Sequence, residues 1–439
     1  SPRTGRGRTG RLTGRPGKYW GKAEIYRMDA HKKIVICSTL DTKGEETLYL
    51  KAQLEERGAQ VSIIDIGLKR TARSFPVQFT QDQVAESAGS SFASVENILS
   101  RFEASKIMME GLLSITQKLC REGNLDGMMS LGGSGGTTIA SYAMQNLPLG
   151  IPKIIVGTMA SGNTVPYVQG QDILLINSVA DIQSINFLTE YILGQAAAVM
   201  CAMIDGPKIA RHKKKAIGIT GFGVTTPCVQ RCKELLEEMG YEIVIFHARG
   251  VSGGKIMEKM IRERFFAGVL DITTTELADE VGGGAYAIGP ERLRGGVETN
   301  IPYIVVPGAL EMINIGPEEQ LRPEQADKVR YYHNPSLLKI RADKRDMRAL
   351  AELFVHRLGD AAGNTRLIIP TQGFSEIDKA GNVFYDPETD AVFTSEVKAK
   401  MPPQVPVITK DCHLNDPAFA ELLVRELIRM IDWDAVRRG

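Results

Sequence analysis

The sequence predicts an α/β protein: two Rossmann-like domains with mostly parallel sheets, related as an internal pseudo-repeat, with a cleft between them. Three observations predict it. Residues 34–67 (IVICSTLDTKGEETLYLKAQLEERGAQVSIIDIG) read as strand, polar loop, helix and strand, and residues 216–250 repeat that order, with EEMG ending the helix where the first ends in EERG. The segment DGMMSLGGSGG at 126–136 has a counterpart in GVLDITTTE at 268–276, and IPKIIVGTMA at 151–160 has one in IPYIVVPGAL at 301–310. Finally, strands alternating with helices imply parallel sheets, and these strands end in loops of Gly, Ser, Thr or Asp. Open parallel sheets bind ligands beyond the carboxyl ends of their strands, so the strand-end loops of the two halves are expected to meet in the cleft.

The elements follow in order. Residues 68–90 are polar and broken by Pro76 and Gly89, which predicts a loop. Residues 95–122 predict one helical stretch, because Ile98, Phe102, Ile107, Leu112, Ile115 and Leu119 recur at three-to-four spacing. A strand at 127–130, a glycine loop, a helix from about Ile139, a strand at 173–176 and a long helix at 182–204 complete the first half. The run DGPKIARHKKK at 205–215 interrupts both periodicities and reads as the linker. Strands then fall at 216–220, 242–246, 268–272, 303–306, 366–370 and 405–409, and a helix at 417–431 follows Asp416 as N-cap with Pro417 in its first turn. The expected divisions are 1–27, a disordered basic head of added or upstream sequence; 28–207, an N-terminal Rossmann-like nucleotide-binding domain; and 208–439, a C-terminal α/β domain.

Composition narrows the class. With 439 residues, 43% hydrophobic and 24% charged, the chain can build two or three domain cores. Residues 1–27 hold eight basic side chains against Glu24 alone, so the rest of a chain of net charge +1 is mildly acidic. That argues against nucleic-acid binding. The head lacks the apolar core of a secretory signal, Met28 is a natural start, and an Arg-rich transit peptide is the alternative reading. The longest apolar stretch, 191–204, is interrupted by Gly194 and Gln195 and is too short to span a bilayer, so no membrane partner is expected. Six cysteines without a CxxC pair suit reduced thiols in a cytoplasmic protein.

Several loops carry candidate chemistry. Gly132, Gly133, Ser134, Gly135, Gly136 and Thr137 join a strand to a helix, where backbone N–H groups and the helix dipole favour an anion. No Lys follows the last glycine, so this is not a Walker A loop; phosphate or carboxylate binding competes with a merely tight strand-to-helix turn. Thr42 and Lys43 end the first strand and suit a phosphate, while Thr42 with Glu45 also fits a capping box. Thr158, Ser161 and Gly162 end the next strand and are expected to converge on the same spot. In the second half, Arg249 and Lys255 flank a glycine loop after His247. Asp271 and Glu276 follow a strand as candidates for holding Mg²⁺ or moving a proton. His333 and His413 read as loop histidines, either general bases or structural hydrogen-bonders.

The motifs STLDTKGEE (38–46), GGSGGT (132–137), TMASGN (158–163), FGVTTPCV (222–229), LDITTTELADE (270–280), PGALEMINIG (307–316), HNP (333–335) and HLNDPAFA (413–420) recur in order through both halves. With them the chain resembles the family that includes the N-terminal ATP-binding domain of the tomato mosaic virus resistance protein, an inhibitor of viral RNA replication. The resemblance covers about residues 32–431. It implies a two-domain α/β protein that binds ATP and forms a homo-oligomer. The expected function is therefore an ATP-binding protein whose phosphates lie in the first-half glycine loop, with a small anionic ligand as further partner. As an enzyme it would act on a small carboxylate or sugar acid, with Asp271 or Glu276 handling Mg²⁺ or protons. Two alternatives stay open: a non-catalytic, ATP-regulated binding module, and an isomerase, lyase or hydrolase using His247, His413 and the second-half carboxylates.

Overall fold

The computed structural model describes residues 31–70, 75–209 and 215–438. The basic head and residues 210–214 of the linker lie outside the described residues. The first domain runs β1 (Lys32–Ser38), α1 (Gly44–Glu55), β2 (Ala59–Asp65), α2 (Gln81–Ser87), α3 (Phe92–Asn97), α4 (Arg101–Arg121), β3 (Gly127–Gly132), α5 (Ser134–Gln145), β4 (Lys153–Gly157), α6 (Val165–Val168), β5 (Ile173–Asn177) and α7 (Phe187–Asp205). Its five strands are all parallel in the order β2-β1-β3-β4-β5. Strand alternation assigns the two faces. Ile34 and Ile36 enter the core with Leu50 of α1 and Leu193 of α7, and Val35 and Cys37 enter the opposite core with Met108 of α4 and Ala140 of α5. Each fully buried aliphatic side chain of this kind stabilises by about 1.5–3 kcal/mol.

The second domain runs β6 (Ala216–Gly221), α8 (Thr226–Glu238), β7 (Glu242–His247), α9 (Gly254–Arg262), β8 (Gly268–Thr273), α10 (Thr275–Gly282), α11 (Arg294–Thr299), β9 (Tyr303–Gly308), β10 (Met312–Gly316), β11 (Arg330–Asn334), β12 (Leu337–Arg341), α12 (Lys344–Leu358), β13 (Thr365–Pro370), α13 (Pro387–Lys400), β14 (Val407–Lys410) and α14 (Pro417–Arg438). Six strands form a parallel sheet ordered β14-β13-β9-β8-β6-β7. In both sheets the second strand lies outside the first and the third returns to its other side, so each has a reversal of strand order at its first strand. The two parallel sheets and the repeated order bear out the predicted fold class.

Several expectations change in detail. An antiparallel sheet, β10-β12-β11, was not legible in the sequence, and it places His333 in β11 rather than in a loop. The polar stretch 68–90 contains α2, started by a capping box between Thr80 and Gln83. The single helix expected at 95–122 is two, because Ile98 leaves the helix in an extended conformation and Ser100 caps α4 anew. The long helix begins only at Phe187, where Asn186 accepts hydrogen bonds from the amides of Leu188 and Thr189. By length and composition α7 is apolar enough to cross a membrane, yet Leu193, Ala196, Ala197, Met200, Cys201 and Ile204 bury its inner face against the first sheet. All six cysteines are free thiols, and burial pushes that of Cys37 up to about 12.

Candidate functional site

In the first sheet the strand order reverses between β1 and β3, the place where open α/β sheets leave a crevice. The loops that follow these two strands wall a cavity of about 240 Å³, lined by Thr42, Lys43, Gly133, Ser134, Gly135 and Gly136 among others. Two helices start here without side-chain caps: α1 after Lys43 and α5 after Gly133. The first amides of a helix have no partner within it, so both helix starts offer donors to an anion. The capping box expected from Thr42 and Glu45 is absent, because the Thr42 hydroxyl turns back to the carbonyl of Thr39 at 3.3 Å.

The backbone lets the loop close this tightly. Gly132 has φ of 146°, a conformation that disfavours side chains. At Gly157 a Cβ would lie 2.3 Å from the Gly132 carbonyl oxygen, so β4 can approach the loop only without one. Beneath the loop, Thr137 is 1% exposed and its hydroxyl has no hydrogen-bond partner among the described residues.

Two cations face the cavity. Lys43 is 8% exposed, and neither its ammonium nor the guanidinium of Arg101 forms an ion pair or side-chain hydrogen bond among the described residues. Arg101 reaches over α5, where a Cβ on Gly135 would lie 3.0 Å from its Nη2. Asp41 and Asp181 also line the cavity, and Oδ1 of Asp41 is buried without a hydrogen-bond partner among the described residues. Arg101, Asp41 and Asp181 were missed in the sequence. Arg101 and Asp181 lie far from the glycine loop along the chain and carry no local signal, whereas Asp41 adjoins Thr42 and was within reach. Conversely, Thr158, Ser161 and Gly162 line no part of this cavity; Thr158 and Ser161 close a turn of 3₁₀ helix on themselves, with the Ser161 hydroxyl donating to the Thr158 carbonyl at 2.9 Å.

The second-half candidates divide. Asp271 and Glu276, expected as metal or proton-handling groups, are 0% and 1% exposed and are saturated by protein partners. Arg292, itself fully buried, donates to both oxygens of Asp271 and from Nε to Glu276 at 2.5 Å. Asp271 also accepts from Thr220 at 2.7 Å and from the Tyr303 hydroxyl at 2.6 Å, and Glu276 from the amides of Gly250 and Gly254. Sealed and so engaged, these two carboxylates face protein donors and not open space. His413 is buried too: its Nε2 lies 2.9 Å from the Ser375 carbonyl and its Nδ1 accepts from the Asn415 amide. His247, Arg249 and His333 are exposed; His247 stacks on Phe222 at 5.2 Å between ring centroids, with burial and then Arg249 holding its pKa below the usual value.

The expected meeting of both halves' strand-end loops does not occur at the glycine loop. A cleft lies between the domains, lined by Tyr142, Gln145, Gln169, Gln171, Lys255 and Lys259 among others. On the first-domain side these residues end α5 or precede β5, which puts the cleft at the amino edge of that sheet, opposite the glycine loop. Lys259 ties the edge down, donating to the carbonyls of Gln145 and Leu147 and to Gln171 at 2.5 to 3.0 Å.

Comparison with known proteins places the chain in a family. Residues 32–208 match the N-terminal domain, and residues 214–431 the C-terminal domain, of the uncharacterised protein family UPF0261. A UPF0261 protein of Clostridium tetani is 41% identical over 405 residues, 92% of this chain and 100% of the relative. A UPF0261 protein of Rhizobium meliloti is 35% identical over 395 residues, 90% of this chain and 98% of the relative. The ToMV susceptible protein tm-1(GCR26) of Solanum lycopersicum is 34% identical over 423 residues, 91% of this chain but 56% of the longer relative.

Proposed function

The chain belongs to the uncharacterised protein family UPF0261, and on that premise we propose that its first domain binds the phosphates of a nucleotide, ATP, at the β1/β3 reversal. The observation that carries this reading is the convergence on one cavity of two uncapped helix starts and two cations that have no ion pair among the described residues. Backbone amides and the dipoles of α1 and α5 attract the anion, and Lys43 and Arg101 supply charge-assisted hydrogen bonds. At about 240 Å³ the cavity is smaller than the roughly 300–1,000 Å³ of a whole-ligand pocket, so it suits the phosphate chain with the nucleoside outside.

The carboxylates of Asp41 and Asp181 would repel a bare polyphosphate. They fit a Mg²⁺ ion, which is bound through one or two carboxylates plus phosphate oxygens and would neutralise phosphate charge there. Asp271 and Glu276 take no part, so this reading is one of nucleotide binding, with any chemistry left to groups that reach open space.

The test is titration of the full chain with ATP, ADP and inorganic triphosphate, with and without Mg²⁺, followed by calorimetry and thermal shift. A ligand of the folded form raises the melting point by mass action. Lys43→Ala and Arg101→Ala should each weaken binding by on the order of 10-fold or more, since a hydrogen bond to a charged group is worth about 1.5–3 kcal/mol. Absence of any triphosphate binding, or binding indifferent to both substitutions, would remove the proposal.

A further inference from the structure

We propose that the second domain holds a separate site for a small 2-oxo acid, in which the amino group of Lys339 attacks the ligand's carbonyl carbon to form a Schiff base. The proposal does not rest on the nucleotide reading. It starts from a cavity of about 700 Å³ beyond the carboxyl ends of β6 and β7, roofed by the antiparallel sheet and lined by Phe222, His247, Arg249, Tyr286, Tyr331 and Lys339 among others.

Lys339 is the unexpected member. It sits on the central strand of the small sheet, paired with Asn314 on one side and Tyr331 on the other, and is 2% exposed. A lysine so enclosed ordinarily has a carboxylate against it. Here no carboxylate or carbonyl oxygen is within hydrogen-bonding distance among the described residues; the ammonium meets the Met312 sulfur at 3.5 Å and the Phe222 ring at 4.4 Å from its centroid. An aliphatic residue would fill the same place without the desolvation cost. Burial brings its pKa down to about 8, against the opposing pull of Glu311 and Asp279, so a useful share of the group is the neutral nucleophile near neutral pH.

The surrounding groups select the ligand. Arg249 is exposed beside the Tyr286 ring, 5.3 Å from its centroid, and forms no ion pair among the described residues, leaving its guanidinium for a carboxylate. His247 lies against the same Phe222 ring as Lys339 and stays neutral at lower pH than an ordinary histidine, fit to carry protons. A carbonyl for the amine and a carboxylate for the guanidinium define a 2-oxo acid. The step balances without a redox partner. The Nζ lone pair forms the C–N bond, the carbonyl oxygen takes up a proton to give a carbinolamine, and that hydroxyl leaves as water with a second proton as C=N forms. The two protons equal the two lost from nitrogen, and His247 can relay them.

Trapping tests it. The full chain is incubated at pH 7.5 with pyruvate and sodium cyanoborohydride, which reduces an imine to a stable secondary amine, and the adduct is located by peptide mass spectrometry. The expected result is one adduct per chain, on Lys339, in preference to exposed lysines such as Lys344 and Lys398. Arg249→Gln should cut the labelling rate with pyruvate by on the order of 10-fold while changing that with acetone, which has no carboxylate, far less. Labelling spread over surface lysines, or none at Lys339 in the wild-type chain, overturns the proposal whether or not a Lys339→Met variant folds. Equal effects of Arg249→Gln on both probes overturn the assignment of a 2-oxo acid.

Discussion

Replacing Arg292 by Met should cost the second domain about 3–5 kcal/mol, the usual penalty for removing one partner of a buried ion pair. The side chain is fully enclosed. It is the only cation in contact with Asp271, Glu276 and Glu258 among the described residues, and it also donates to the Thr273 carbonyl at 3.0 Å. Its loss leaves the carboxylates with neutral donors: Thr220 and Tyr303 on Asp271, the Gly250 and Gly254 amides on Glu276, and the Leu293 and Gly295 amides on Glu258. Those contacts hold the cost within the range above rather than the far larger cost of naked buried charge. A domain of ordinary stability, about 5–15 kcal/mol, would lose a large share of it. Urea unfolding at pH 7.5 and at pH 5 reads the effect twice. Burial holds Glu258 and Glu276 above the usual carboxylate range against the pull of Arg292, so without the guanidinium both titrate higher still, protonation relieves the variant more than the wild type, and the gap narrows toward pH 5. A loss under about 1 kcal/mol at pH 7.5, or a gap that does not narrow, would refute the account of Arg292 as the counter-charge of this core.

Stability of the wild type should fall as pH rises from 5.5 to 8. Burial lifts both Glu258 and Asp279 to about 7, so the folded state holds protons that the unfolded state has released, and this contribution, complete below the unfolded values, is lost as pH climbs to about 7. Roughly 2–4 kcal/mol is at stake from two fully buried groups, and a urea midpoint that rises over this interval would contradict it. Gly157→Ala should cost about 1–3 kcal/mol, because the new methyl meets the Gly132 carbonyl oxygen, a backbone atom, at 2.3 Å. It should also weaken triphosphate binding by displacing the glycine loop; calorimetry showing unchanged affinity in a destabilised protein would separate that loop from the ligand.

How much of the site was legible can be seen at particular residues. The glycine loop and Lys43 were readable because their chemistry is local: a strand, a run of glycines and a helix start leave a contiguous signature. Arg101 was not, because its place over Gly135 arises from the packing of α4 against α5. The second half misled for the opposite reason. Asp271 and Glu276 have the residue types of a catalytic loop, but Asp271 alternates with Leu270 and Ile272 on a strand buried on both faces, and Arg292 was waiting on a distant loop. Lys339 reads as an ordinary polar residue between Leu338 and Ile340 until β10 and β11 close on either side of it.

The sequence alone determined the two parallel sheets and the anion-suited bend, since strand period, helix period and turn chemistry act between neighbours in the chain. Tertiary structure alone decided which charges face open space and which are sealed, and that the cleft between the domains opens at the far edge of the first sheet from the glycine loop. Burial and counter-charge are set by side chains brought together from distant segments, and a linear pattern carries no record of that meeting.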